Sequence, residues 1–251
     1  MKRIILSGCN GRMGQVLQKL ISENSELTVV AGIDHIPTQH ADFPVYATAQ
    51  EVTEAADVII DFSHYTAVPN LIAFATAANI PAVVATTGLE DAEKKLLQEA
   101  SETIPVFYSA NMSLGINVLI KAIQAITPAL ESDFNIEIIE KHHNQKKDAP
   151  SGTALLLADS VNDVCATKKE YIYGRSGNDN ENKLSELGIH AVRGGTIPGE
   201  HTVIYAGADE IIELQHTALS RDIFANGALK AGIFLADQPA GFYSMSDLLD
   251  S

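Results

Sequence analysis

"LSGCNGRMGQVL", residues 6–17, decides how the rest of the chain is read. Three glycines, Gly8, Gly11 and Gly14, lie between an apolar run and a helical pattern. The run before them, Arg3–Leu6, has the short apolar character of a buried strand. After them, Met13–Ser22 sets Val16, Leu17, Leu20 and Ile21 on one side of a helix. Strand, glycine turn and helix at this spacing make a phosphate-binding corner. One glycine turns the chain, a second lets a pyrophosphate approach the backbone, and the third lets the helix pack on the strand. The helix N-terminus then faces the phosphates with free N–H groups and a positive dipole end. Asn10 stands near the usual place of the middle glycine, and asparagine tolerates left-handed backbone angles better than most residues. The same glycines would also serve a strand–helix turn that binds nothing.

Asp34 bears on that choice. It closes the second strand candidate, Leu27–Ile33, 20 residues after Gly14. An acid at that place binds the ribose hydroxyls of a dinucleotide. A carboxylate repels a 2′-phosphate, so NADH is favoured. His35, the next residue, offsets part of that repulsion, so some use of NADPH is expected. The backbone and side chains of Gly8, Cys9, Asn10, Gly11, Arg12 and Met13 are the candidate cofactor contacts, with Asp34 and His35.

Working outward, the pattern repeats. Val58–Asp61, Ala82–Ala85 and Val106–Tyr108 read as buried strands, and Tyr65–Ala78 and Asp91–Glu102 as helices. Short strands buried on both faces and joined by helices imply a parallel, doubly wound sheet of Rossmann type. Two more loops, Ala85-Thr86-Thr87-Gly88 and Ser109-Ala110-Asn111-Met112, follow such strands. Ligands in open α/β sheets bind at that edge, so Ala85, Thr86, Thr87, Ser109, Ala110, Asn111 and Met112 join the cofactor candidates.

Beyond residue 112 the texture changes. Ile116–Leu130 and Ser151–Val164 read as helices, with Ser151 as N-cap. Phe134–Glu140, His190–Val192, His201–Gly207 and Ile211–Ala218 read as strands, and Gly174–Lys183 as a polar loop. Asp222–Leu235 closes as a helix, and a short apolar segment, Phe242–Leu249, follows. Strands following strands imply an α+β domain with a mixed, largely open sheet. The expected division is a dinucleotide-binding domain over 1–112, completed by the returning segment 222–251, and a second domain over 113–221.

Composition limits the function. The 251 residues suffice for two modest domains, and 46% hydrophobic content excludes a disordered chain. A net charge of −15 argues against nucleic acid and anionic membrane as partners. Two cysteines, Cys9 and Cys165, neither form a disulfide framework nor match a zinc spacing, so a reduced, cytoplasmic setting without a metal is expected.

Against this acidity, "IEKHHNQKKDAPSGTALLLADSV", residues 139–161, crowds His142, His143, Lys146 and Lys147 into six positions. Histidine moves protons near neutral pH, and lysine offers a cation or a proton donor. Ser151-Gly152-Thr153 then opens a helix whose free N–H groups suit a carboxylate. The stretch reads as a cradle for a small polyanion beside an acid–base group. A His-His pair at a strand end also occurs as a plain solvated pair.

These residues carry a resemblance. "EKHHNQKKDAPSGTA" resembles the signature of the 4-hydroxy-tetrahydrodipicolinate reductase family, long called dihydrodipicolinate reductase. "GCNGRMG", "DFS", "ATTGL", "SANMSLGINVL", "GEHTVIYAG" and "SRDIFANGALKA" extend the likeness over the whole chain. Ala85 stands where the family often has glycine, and His35 where NADPH-using members often have arginine. The resemblance implies reduction of a cyclic dicarboxylate on the diaminopimelate route to lysine. It implies His142 as the acid–base residue, Lys146 as the proton donor, His143 as a substrate contact, and Gly152 and Thr153 as carboxylate binders. It further implies closure of the second domain, with a hinge near Ser109–Ser113, and a homotetramer built through the second-domain sheet. Two other functions compete: another two-domain NAD(P)-dependent dehydrogenase, and a nucleotide-sensing binding module. The first, if it acted on an aldehyde, would need a nucleophilic cysteine, which neither Cys9 nor Cys165 suits. The second would not need His142 and Lys146 together.

Overall fold

A computed structural model of the chain describes residues 1–37, 42–178, 181 and 183–251. It divides into two compact units, Met1–Leu114 with Asp222–Ser251, and Gly115–Arg221.

The first unit runs β1 (Lys2–Ser7), α1 (Arg12–Ser22), β2 (Leu27–Ile33), β3 (Val45–Tyr46), β4 (Val58–Asp61), α2 (Val68–Ala78), β5 (Ala82–Val84), α3 (Asp91–Ser101) and β6 (Pro105–Tyr108). In the second, α4 (Leu114–Leu130) leads into β7 (Asn135–His142), α5 (Gly152–Asn162), β8 (Glu170–Ile172), β9 (Glu186–Arg193), β10 (Gly199–Ala206) and β11 (Ile211–Ala218). The chain then returns to the first unit with α6 (Asp222–Leu235), β12 (Gly241–Tyr243) and α7 (Met245–Leu249).

In the first sheet the order is β12-β6-β5-β4-β1-β2-β3, and every pairing is parallel. The order reverses at β1, and crevices at such reversals are where doubly wound folds bind ligands. Both faces are apolar. Ile4, Leu6, Val58 and Ile60 pack with α1 and α6 residues such as Leu17, Ala228 and Leu235. Ile5, Ile59, Val84 and Val106 pack on the other face with Leu71, Ile72 and Leu97 of α2 and α3. Continuous apolar strands fit this burial on both sides.

The second sheet is mixed, in the order β11-β10-β7-β9-β8. β10 is antiparallel to β7 and β11, while β9 is parallel to β7 and β8. Ile136, Ile138, Val203 and Tyr205 face Leu119 and Ile123 of α4 and Leu157 and Val161 of α5. The buried Tyr205 hydroxyl shares a 2.6 Å hydrogen bond with Thr127, so its polar end is satisfied inside this core.

Several boundaries differ from the sequence reading. β7 extends through His142, because its alternation of buried and half-buried residues continues past Glu140. β9 begins at Glu186, before the expected His190. The helix expected from Tyr65 starts at Val68 behind a 3₁₀ turn, with Pro69 in its first turn. Proline is favoured there because its missing N–H is not needed. β3, β8 and β12 were not anticipated, and Phe242–Leu249 holds the end of β12 and α7. The polar loop expected over 174–183 lies partly outside the described residues, and its described part has no helix or strand.

Candidate functional site

The loop after β1 is built as the glycines require. Gly8 has φ +75°, and a Cβ there would lie 2.6 Å from the Phe62 carbonyl oxygen. A Cβ at Gly14 would collide with the carbonyls of Gly8 and Cys9, so α1 sits directly on the loop. Gly11 caps α1 without a side-chain hydrogen bond. The first N–H groups of this helix therefore have no side-chain cap, which suits an anion. Asp34, 8% exposed, accepts from Asn10 N–H at 3.0 Å and Ile36 N–H at 3.2 Å. Its Oδ1 is 3.0 Å from Nδ1 of the exposed His35. Asp34 thus stitches the end of β2 to the glycine loop. A carboxylate has about four lone-pair sites, so it retains capacity for hydroxyl donors. Arg12 is exposed and Met13 half-buried, whereas Cys9 turns into the core, with burial pushing its thiol up to about 11. Contacts from Cys9 are therefore limited to its main chain.

The neighbouring strand ends are tied together by Asp61, which is fully buried at the end of β4. It accepts from Thr86 Oγ1 at 2.6 Å and Ser63 N–H at 3.1 Å. Burial raises its pKa despite these hydrogen bonds. Ala85 and Thr86 are buried, while Thr87 is exposed. After β6, the Ser109 hydroxyl and Asn111 side chain fold the loop on itself, with Ser113 N–H donating to Asn111 Oδ1 at 2.9 Å. Ala110 is exposed, and Met112 is buried in the core. These residues frame the carboxyl edge of the first sheet, as Gly8 does.

In the second unit, Ile136, Ile138, Glu140 and His142 alternate onto the buried face of β7. His142 Nδ1 is 2.6 Å from Glu140 Oε2. Arg193 donates to both Glu140 oxygens at 2.7 Å, and Ser151 N–H donates to Oε1 at 2.9 Å. Burial works against the charge of Glu140, but these hydrogen bonds outweigh it and hold the carboxyl below its usual range. An ionised Glu140 only accepts, so the His142 proton sits on Nδ1. Burial pushes His142 below its ordinary value, with Glu140 pulling the other way and Lys146 and Arg193 adding to the decrease.

Glu140 also joins His142 to the start of α5. Ser151 caps that helix, its hydroxyl accepting from Ala154 N–H at 3.1 Å. A Cβ at Gly152 would meet nothing within 4 Å, so the backbone there faces open space, with Thr153 next along the helix. Lys146 pairs with Asp148 at 2.9 Å. His143 turns to Arg221, whose guanidinium lies 3.0 Å from Nε2. Arginine can only donate, so this nitrogen accepts. Among the described residues no cluster of His, Cys, Asp or Glu is suited to a metal ion.

The structure therefore brings His142, Lys146 and the α5 start into one cluster, and the glycine loop and Asp34 into another. Sequence reasoning assigned no role to Glu140, Arg193, His201 or Arg221. The first was readable, since Glu140 lies two residues before His142 on an alternating strand. Arg193 was not, because its place depends on the β7–β9 register, which sets it opposite His142.

Comparison with known proteins agrees across both units. A family model described as dihydrodipicolinate reductase, N-terminus, matches residues 2–112, and one described as dihydrodipicolinate reductase, C-terminus, matches 115–249. The chain belongs to the dihydrodipicolinate reductase family. Curated members of that family include the 4-hydroxy-tetrahydrodipicolinate reductase of Caldanaerobacter subterraneus subsp. tengcongensis, 56% identical over 99% of this chain and 98% of the relative. That of Clostridium tetani is 49% identical over 100% of this chain and 98% of the relative. The dipicolinate-bound dihydrodipicolinate reductase of Paenisporosarcina sp. TG-14 has a similar fold. Its TM-score is 0.80 at 23% identity, over 97% of both chains. The C-terminal family match, residues 115–249, includes the buried Glu140–His142 pair and the start of α5.

Proposed function

We propose that this chain is a 4-hydroxy-tetrahydrodipicolinate reductase, forming tetrahydrodipicolinate with loss of water on the diaminopimelate route to lysine. One observation carries the reading: a buried carboxylate, Glu140, links the imidazole of His142 to the N-terminus of α5. When bound, NAD(P)H supplies the hydride.

The residues divide the remaining work. Gly8, Cys9, Asn10, Gly11, Arg12 and Met13 bind the pyrophosphate of the cofactor, chiefly through the backbone. Asp34 binds the ribose hydroxyls and favours NADH, with His35 softening the discrimination against NADPH. Ala85, Thr86, Thr87, Ser109, Ala110, Asn111 and Met112 frame the nicotinamide side. Gly152 and Thr153 hold one substrate carboxylate at the α5 N-terminus, and His143 contacts the substrate. Negative charge develops toward the substrate ring nitrogen. Lys146 stabilises that charge and delivers the proton, and His142 exchanges protons through Nε2. On this reading residues 1–112 with 222–251 form the cofactor domain, and 113–221 the substrate domain.

The second-unit sheet supports self-association. Its face away from α4 and α5 carries half-buried Ile139 and Ile204 and exposed Val192 and Ile211. A homotetramer through this face would sediment at four times the 26.9 kDa chain mass. Among the described residues no helix is long and apolar enough to cross a membrane. The proposed setting is cytoplasmic.

Lys146→Ala tests the role assignment. It should bind NADH as the parent does and lose kcat by about 10²–10⁴-fold. Near-parental turnover would remove Lys146 from the mechanism.

A further inference from the structure

His142 is held by Glu140 on its own strand, and Glu140 is held in turn from β9 and from the start of α5. In the parallel pairing of β7 and β9, Arg193 stands opposite His142. Its guanidinium closes on both oxygens of Glu140, each at 2.7 Å. This is the fork geometry that only arginine provides to a carboxylate. The same group reaches two backbone carbonyls. Nη2 donates to Asp148 at 2.7 Å, and Nη1 donates to Val192 at 2.8 Å. Asp148 is also the ion-pair partner of Lys146. Arg193 therefore touches both the carboxylate that sets His142 and the turn that carries Lys146.

We propose that Arg193 is the positioning residue of this site: it holds Glu140 where His142 must keep its proton on Nδ1, leaving Nε2 for proton exchange, and it anchors the Lys146 turn through Asp148. The inference rests on the roles proposed above for His142 and Lys146. Glu140 is fully buried, and a buried carboxylate without a cation is strongly disfavoured. Without the guanidinium, Glu140 takes up a proton at higher pH. A protonated carboxyl can donate as well as accept, so it no longer obliges Nδ1 to carry the hydrogen. The other charged or titratable groups around the imidazole are His201 on β10, with its ring 5.1 Å away, then His216 on β11 beside His201, and Lys146 and Asp148 on the turn. Lys141 lies on the opposite face, paired with Glu200. None of these contacts both oxygens of Glu140.

The test uses full-length Arg193→Met, Arg193→Lys and Glu140→Gln. Three readouts are needed: NADH affinity by fluorescence, kcat and KM in the reductase assay, and the tautomer and titration of His142 by nitrogen-15 NMR. Arg193→Met should leave NADH affinity unchanged and lower kcat at least about 10-fold, short of the 10²–10⁴-fold for losing an acid–base group itself. Arg193→Lys keeps the charge without the fork and should recover part of the loss. The His142–Glu140 pair should take up its proton at higher pH in Arg193→Met, which removes a cation. His142 should titrate at lower pH in Glu140→Gln, which removes an anion. A residue that merely stabilises the sheet would not move the two in opposite directions. Parental kcat in Arg193→Met, or an unchanged His142 titration and tautomer in both variants, overturns the proposal. If Arg193→Met does not fold, Arg193→Lys decides by kcat and by the His142 tautomer: a parental value of both in that variant overturns the proposal. If the parent enzyme itself shows no reductase activity, the proposed function fails, and the NMR readout still decides whether Arg193 positions His142.

Discussion

His201 shows how much a single side chain in this cluster depends on its surroundings. It is 4% exposed, its Nε2 lies 3.1 Å from the Ser151 hydroxyl, and its Nδ1 has no partner among the described residues. Burial, reinforced by the nearby positive charge of His142, pushes it down to about 4 from an ordinary 6.5. The unfolded chain therefore binds this proton near pH 6.5, and the folded chain only near pH 4. Stability from a neutral His201 is fully present above pH 6.5 and is lost as pH falls toward 4. At about 1.4 kcal/mol per pKa unit, that amounts to about 3–4 kcal/mol. His142 and His216, also depressed by burial, act in the same direction. Carboxylates held low, such as Glu140, act only below their unfolded value of 4.5. Urea unfolding at pH 7.5 and 4.5 should show a flatter pH dependence for His201→Gln than for the parent. An unchanged dependence would mean that His201 is not the buried, neutral group described. At this scale the sequence was partly legible. The basic cluster marks out His142 and Lys146 in the sequence, but Arg193, which grips the carboxylate beside His142, comes from β9 through sheet pairing.

Among the elements, α6 is held by how closely it approaches the loop after β6. A methyl at Gly227 would land on the Met112 carbonyl oxygen. Backbone on both sides leaves no flexible side chain to give way. Gly227→Ala should therefore destabilise the first unit by about 3 kcal/mol, the size typical of overpacking a tight core. Denaturant unfolding checks this, and a midpoint equal to the parent's would contradict the packing. Long periodic helices such as α6 were legible, because apolar residues recur over several turns. β3, β8 and β12 have two or three residues each, too few to show a period. Their strand character comes from pairing with β2, β9 and β6. The end of β7 was read two residues short, because Lys141 and His142 look polar in sequence although they continue the strand's alternation.

Over the whole molecule, charge and chemistry are separated. The chain carries a net −15, yet Lys146 and Arg193 gather beside His142. A small dianion needs cations only where it binds, so the acidic surface elsewhere is no obstacle. The doubly wound sheet and the mixed sheet followed from the order of apolar runs along the chain, whereas the reaction rests on the family signature together with the site. Its most direct test is the consumption of NADH and NADPH by the purified protein, with freshly generated product of dihydrodipicolinate synthase as substrate. The account predicts rapid substrate-dependent oxidation, with NADH preferred and NADPH accepted. No oxidation of either cofactor beyond the substrate-free rate would contradict it.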